Sequence, residues 1–354
     1  MELREIIHFP QIRTRLPIHV HPGAAEAERQ LAGYVAGHPV LKPYAAKIRQ
    51  DQSARLVCLW APQSADMERI LAAAKYVMIT YLIDDMLDEG WTGIGARRMV
   101  AGLKRVIAQQ KKPETDVEKT LAAIINPFLD GVGRTFRSRI NAALGDWIDS
   151  GALRGGTPPG THRMTDREFL DWRVSDVGYE ANIAIAEYAV GCDVSGHEEM
   201  LRPLKVKAVE HVLIINDVYS YRRELAKGCA DTGILTLWMR RDGMSLQGAV
   251  YRACALVRAI EAEYLAMERE LVSREPGVAA YAEALRMLFQ GNLAVHASGT
   301  RYNGAAFRGN LLRGAWVRLD PDVTSVIAYD PGSEGVGEPV PLRPRRTGSF
   351  CPAG

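Results

Sequence analysis

Little in the 354 residues points toward a membrane, a nucleic acid or a disulfide scaffold. No apolar run approaches the ~20 residues that a membrane-spanning helix requires. The formal net charge is only +2, from 44 basic and 42 acidic side chains, so no basic excess exists to displace counter-ions from a nucleic acid. Five cysteines (Cys58, Cys192, Cys229, Cys254 and Cys351) are scattered without C-x-x-C spacing, which leaves neither a disulfide framework nor a zinc site. Met1 to Pro10 lack the basic start and apolar stretch of a secretory signal. Alternating runs of Val, Ile and Thr bounded by turn residues, the mark of strands, are missing as well. These absences predict a reduced, cytoplasmic, soluble protein that binds neither nucleic acid nor membrane.

What is present is helical periodicity. Between Ser64 and Asp88, the apolar residues Ile70, Ala74, Val77 and Tyr81 recur at spacings of three and four, which puts them on one helix stripe. Thr165, with Glu168 three residues on, predicts a capping box that opens a helix running toward Tyr188, and Gly191 is its stop. Residues 24–36, 198–224, 246–271 and 277–302 continue the pattern, while 115–147 holds one long helix or two joined near Pro127. The chain reads as all-α. Ser150 to Thr161 is rich in Gly and Pro and is expected as a surface loop. With no linker before residue 320, one helical domain is expected over residues 1–329. A Pro/Gly-rich tail over 330–354 is expected to be disordered, its cluster of Arg343, Arg345 and Arg346 solvated.

Two acidic motifs stand out. Asp84, Asp85 and Asp88 project from one face at the end of an otherwise apolar helix, with Glu89 next in line. Carboxylates packed in that way repel one another and lose solvation, and divalent cations relieve both problems. Hard oxygen ligands suit Mg2+. Farther along, Asn216, Ser220 and Glu224 fall at i, i+4 and i+8, on one helix face within about 12 Å. An amide oxygen, a hydroxyl and a carboxylate in that register offer three oxygen donors for a further Mg2+. The strongly apolar run His211 to Ile215 just before them shows that this face begins inside the protein.

Candidate anion binders accompany the motifs: Arg173, Arg223, Lys227, Arg301 and the adjoining Tyr302. Any one of these cations is ordinary surface charge by itself. Jointly they suit a diphosphate, whose oxygens metal ions bridge while Arg and Lys neutralise the remainder.

In these residues the sequence resembles the bacterial class I terpene cyclases of the isoprenoid synthase group. The aspartate-rich motif is matched by Asp84, Asp85, Asp88 and Glu89, and the second metal motif by Asn216, Asp217, Ser220 and Glu224, about 130 residues later. The closing Arg-Tyr pair is Arg301-Tyr302, and Val295 stands where the family often has an aromatic residue. The resemblance implies an antiparallel helical bundle around a deep apolar cavity, three Mg2+ ions, and a prenyl diphosphate as substrate. It further implies that Asp84, Asp85, Asp88, Asn216, Ser220 and Glu224 hold the metals. Arg173, Arg223, Lys227, Arg301 and Tyr302 would grip the diphosphate, and Asp176 and Gly178 would link the sensor Arg173 to a helix break that triggers ionisation. A homodimer is compatible with it.

Farnesyl diphosphate is favoured as substrate, with geranylgeranyl diphosphate, hence a diterpene cyclase, next. The wall residues Ala73, Ala74, Val77, Ala181 and Ile185 are small enough for either, and Tyr76, Tyr81, Trp172 and Tyr219 are aromatic candidates for facing a carbocation. Two other readings stand behind this one. A chain-elongating prenyltransferase would carry a second aspartate-rich motif in place of Asn216, Ser220 and Glu224. A non-catalytic helical protein that binds a prenyl diphosphate would keep the motifs without the chemistry.

Overall fold

The structure, a computed structural model, describes residues 6–12, 14, 16–88, 94–153, 161–176, 178–228, 230, 233–320, 325–329 and 340–341. Its helices follow one another as α1 (Ala24–Gly37), α2 (Ala45–Asp51), α3 (Ser53–Trp60), α4 (Met67–Asp88) and α5 (Ile94–Ile107). Next come α6 (Asp116–Asp130), α7 (Arg134–Leu153), α8 (Asp166–Asp176), α9 (Tyr179–Val190) and α10 (Glu198–Lys227). The series closes with α11 (Ile234–Arg241), α12 (Leu246–Arg274), α13 (Ala279–Ser298) and the single turn α14 (Thr300–Asn303). Among the described residues, no helix is long and apolar enough to cross a membrane.

Local chemistry explains several boundaries. At the start of α6, Thr115 Oγ1 accepts from the Glu118 amide while the Glu118 carboxylate accepts from the Thr115 amide. The same reciprocal pair, Thr165 with Glu168, opens α8 as the sequence predicts. The helix expected to run from there toward Tyr188 is instead two. Gly178 adopts a left-handed φ of 66°, and a Cβ at that position would meet the Trp147 ring at 2.7 Å, so only glycine fits at position 178, just before α9. The join expected near Pro127 falls later: Pro127 sits in the last turn of α6, and the break comes at residues 131–133, where Gly131 and Gly133 weaken the helix.

Helix α13 is buried along almost its whole length and packs against α3, α9 and α10. Leu285, Leu288, Phe289 and Leu293 are each at most 1% exposed, and burial of such a side chain contributes about 1.5–3 kcal/mol. A Cβ on Gly291 would lie 2.4 Å from the Leu59 carbonyl oxygen, so this glycine is what lets α3 approach so closely. The wall residues Ala73, Ala74 and Val77 of α4 and Ala181 and Ile185 of α9 are all buried in one core cluster.

The helices bear out the all-α expectation, and a few short strands accompany them. They are β1 (Ile6–Phe9), β2 (His19–Val20), β3 (Ala315–Arg318), β4 (Ile327–Tyr329) and β5 (Val340–Pro341). β3 pairs antiparallel with both β1 and β4, and β2 pairs with β5 in parallel. Strands of two to four residues are too short for alternation to register in a sequence. Apart from residues 340–341, the tail expected over 330–354 lies outside the described residues, as does most of the loop expected over 150–161.

Candidate active site

Halfway along α10 the helix passes through Leu213, Ile214 and Ile215, all buried, and then presents polar residues on one face. Ser220 Oγ donates to Glu224 Oε1 at 2.6 Å and lies 3.5 Å from Asn216 Oδ1, so the predicted register brings the three oxygens together. Glu224 Oε2 is buried and, among the described residues, has no hydrogen-bond partner. Burial, and after it the neighbouring Asp217, push the Glu224 carboxyl up to about 7, against the opposing pull of Arg173, the Ser220 bond and Arg223. That is the state of a buried carboxyl whose negative charge its neighbours do not compensate.

The amide nitrogen of Asn216 donates to His296 Nε2 at 3.1 Å and to the Tyr302 hydroxyl at 3.2 Å. His296 lies on α13 and bonds through Nδ1 to the Asn292 carbonyl at 2.7 Å, with its ring stacked on Tyr302. Burial lowers its pKa to about 4, so the imidazole is neutral. Asp217, the other acid of this motif, is turned elsewhere: one oxygen accepts from the Ile234 amide at the start of α11 (2.7 Å), the other from Arg173 Nη2 (3.3 Å). It therefore ties α11 and the buried Arg173 of α8 to α10.

The first motif looks different. Asp85, expected among the metal ligands, is 3% exposed and has both oxygens engaged by cations. Oδ1 pairs with Arg223 (2.6 Å) and Lys227 (3.0 Å) of α10; Oδ2 pairs with Lys47 of α2 and with Arg301 (3.4 Å). Burial alone would raise its pKa, and Arg301, Arg223 and Lys47 outweigh that, holding the carboxyl well below the usual range. Arg301 also pairs with the buried Asp51, which accepts from Lys47 as well (2.7 Å), and its guanidinium lies 4.3 Å from the Tyr81 ring centre. Thus Arg223, Lys227 and Arg301 converge on one point, whereas Arg173 stands apart beside Asp217. Asp84 is half-buried. The side chains of Asp88 and Asp176, and Glu89 altogether, lie outside the described residues.

Sequence reasoning did not find Lys47, Asp51 or His296. Each reaches the site from another helix, and no local spacing marks it. The aromatic candidates divide as well: Tyr76 stacks on Phe128, Tyr219 meets Phe9 edge-on, Trp172 packs on Phe169, and Tyr81 lies under Arg301.

Among the described residues, no three His, Cys, Asp or Glu side chains are grouped to hold a metal. The α10 set draws instead on an amide, a hydroxyl and one carboxylate. These are hard oxygen donors of the kind Mg2+ prefers, and a cation there would satisfy the orphaned Glu224 Oε2.

Comparison with known proteins points the same way. The model of "Terpene synthase family 2, C-terminal metal binding" matches residues 75–263, more than half of the chain. A (3S,6E)-nerolidol synthase from Selaginella moellendorffii is 21% identical over 350 residues, covering 91% of this chain and 92% of its own. Spiroviolene synthase from Streptomyces violens is 24% identical over 312 residues, 81% of this chain and 83% of its own. The crystal structure of a linalool/nerolidol synthase from Streptomyces clavuligerus superposes with a TM-score of 0.65 at 16% identity, covering 79% of this chain and 98% of that one.

Proposed function

This chain belongs to terpene synthase family 2, and from that premise we propose that it is a Mg2+-dependent terpene cyclase. Its substrate is an acyclic prenyl diphosphate, farnesyl diphosphate in the first place and geranylgeranyl diphosphate next. The diphosphate leaves, and the allylic cation closes to a cyclic hydrocarbon or alcohol. One observation carries the reading. Three cations, Arg223, Lys227 and Arg301, meet at the buried Asp85 carboxylate, and on α10, which carries two of them, Glu224 Oε2 is buried without a hydrogen-bond partner among the described residues.

Asn216, Ser220 and Glu224 would hold one Mg2+ ion, and Asp84 with Asp88 two more. When bound, the ions serve as Lewis acids toward the diphosphate oxygens. The protein's own groups do the rest. Arg223, Lys227 and Arg301 neutralise the departing diphosphate as its negative charge grows, which is where fixed charges in a dry site matter most. Tyr302 accepts from Asn216 and so keeps its own proton to offer to a phosphate oxygen. Arg173, held by Asp217 next to Glu224, senses the diphosphate, and the break at Gly178, with Asp176 before it, transmits the signal to α9. The buried Ala and Val wall of α4 and α9 supplies no nucleophile and helps keep water from the cation.

Residues 1–329 form the catalytic unit in this reading, and 330–354 an appended tail whose described contact is β5 on β2. The enzyme is cytoplasmic and works alone or as a homodimer. Incubation with geranyl, farnesyl and geranylgeranyl diphosphates, with and without Mg2+, followed by gas chromatography–mass spectrometry, tests the proposal. A cyclic product from one chain length that vanishes with EDTA is expected. A longer linear product would make the protein a prenyltransferase, and folded protein that yields no product would make it a binder.

A further inference from the structure

We propose that His296 is a positioning residue that fixes the side-chain amide of Asn216 so that its oxygen, and not its nitrogen, faces the metal-binding side of α10. The inference rests on reading Asn216, Ser220 and Glu224 as a metal site, and goes beyond it by naming what orients one of the ligands.

Asn292 O can only accept, so the His296 Nδ1 atom 2.7 Å away must carry the ring proton. The other nitrogen, Nε2, faces a side-chain amide nitrogen, which can only donate, so Nε2 is the ring's acceptor and needs that donor. The group 3.1 Å from Nε2 is the Asn216 amide, which meets that need only by turning its NH2 toward the ring. The Tyr302 hydroxyl, 3.2 Å from the Asn216 amide nitrogen, does not discriminate, because a hydroxyl can donate or accept. His296 alone therefore breaks the symmetry of the amide. With its NH2 committed there, Asn216 Oδ1 lies toward Ser220 Oγ (3.5 Å), on the same face as Glu224. A flipped amide would place two N–H groups where a cation must bind, and one of the three oxygen donors would be lost.

The ring has little freedom to do otherwise. His296 is 2% exposed, and its plane is stacked on Tyr302 at 4.5 Å between centres with a 13° tilt. Second-sphere partners of metal ligands act in this way, and losing one typically weakens metal affinity about 10- to 100-fold.

The test uses Mn2+ as probe on the full chain, in the presence of inorganic pyrophosphate, with bound ions followed by electron paramagnetic resonance. Asn216→Ala should abolish tight binding of one ion per chain. His296→Phe, which keeps a ring against Tyr302 but removes the acceptor, should weaken that ion about 10-fold or more while leaving the metal-free melting temperature near that of the wild type. His296→Gln supplies an acceptor again and should stay within a few-fold of wild type. In the double variant Asn216→Asp with His296→Phe, a carboxylate presents oxygen whichever way it turns, so the weakening should be reversed. Wild-type affinity in His296→Phe, alongside loss in Asn216→Ala, would overturn the positioning role. So would a folded His296→Gln that binds as poorly as Asn216→Ala. If Asn216→Ala itself binds like wild type, the metal reading fails instead.

Discussion

The end of α4 and the middle of α10 both carry acidic motifs suited to metal binding, and the structure places them in opposite electrostatic states. On α10, Glu224 has one oxygen tied to Ser220 and the other buried with no partner among the described residues, and its pKa is pushed up to about 7. On α4, Asp85 is 3% exposed, yet four cations surround it and its pKa is held far down. A carboxylate in a motif is thus either uncompensated or already a counter-ion, and the residues opposite decide which. Two of the cations on Asp85, Arg223 and Lys227, come from α10 itself, so the first motif ties the end of α4 to the second helix.

The largest expected effect tests the open side of this contrast. Glu224→Ala should abolish turnover while circular dichroism still reports a helical fold, and full activity would remove Glu224 from the metal site. On the closed side, Asp85→Asn leaves Lys47, Arg223, Lys227 and Arg301 without their shared counter-charge. Breaking a buried pair on one side costs about 3–5 kcal/mol, and the partly exposed cations reduce that here to about 2–3 kcal/mol. Thermal unfolding should show the loss, and added pyrophosphate should recover more of it in the variant than in wild type. A variant as stable as wild type would mean that the cations do not depend on Asp85. Arg301→Ala should weaken inhibition by pyrophosphate about ten-fold, the size of a lost charge-assisted bond. Unchanged inhibition would leave Arg301 as a purely structural partner of Asp51.

The smallest effects are in pH, and they run in opposite directions. The folded-state pKa of Asp85 is lowered, so its contribution to stability is present above the ordinary carboxylate range and is lost as pH falls below about 4. For Glu224 the folded pKa is raised. The metal-free fold keeps a proton that the unfolded chain gives up, so this group's contribution is lost as pH rises from about 4.5 toward 7. Melting curves of metal-free protein should therefore lose a neutral-side slope in Glu224→Gln and an acid-side slope in Asp85→Asn. Identical pH profiles in the two variants would contradict the contrast.

Much of the fold was readable because it is local. The capping box at Thr165, the stop at Gly191 and the long helices α10 and α12 follow from spacing and caps alone. The i, i+4, i+8 register of Asn216, Ser220 and Glu224 likewise needs only one helix. What escaped depends on distant pairing. β1 and β3 join residues some 300 positions apart, Lys47 and Asp51 approach Arg301 from α2, and His296 reaches Asn216 from α13. Asp85 shows the limit most clearly. Its place in the motif was visible, but its four cations come from α2, from α10 and from the turn that carries Arg301.

The most direct measurement is diffraction from crystals grown with Mn2+ and inorganic pyrophosphate, using the anomalous signal to place the ions. The expected result is one ion on Asn216 Oδ1, Ser220 Oγ and Glu224, none on Asp85, and Arg223, Lys227 and Arg301 turned onto the pyrophosphate. An ion held by Asp85, with the α10 oxygens left empty, would contradict the division of roles between the two motifs.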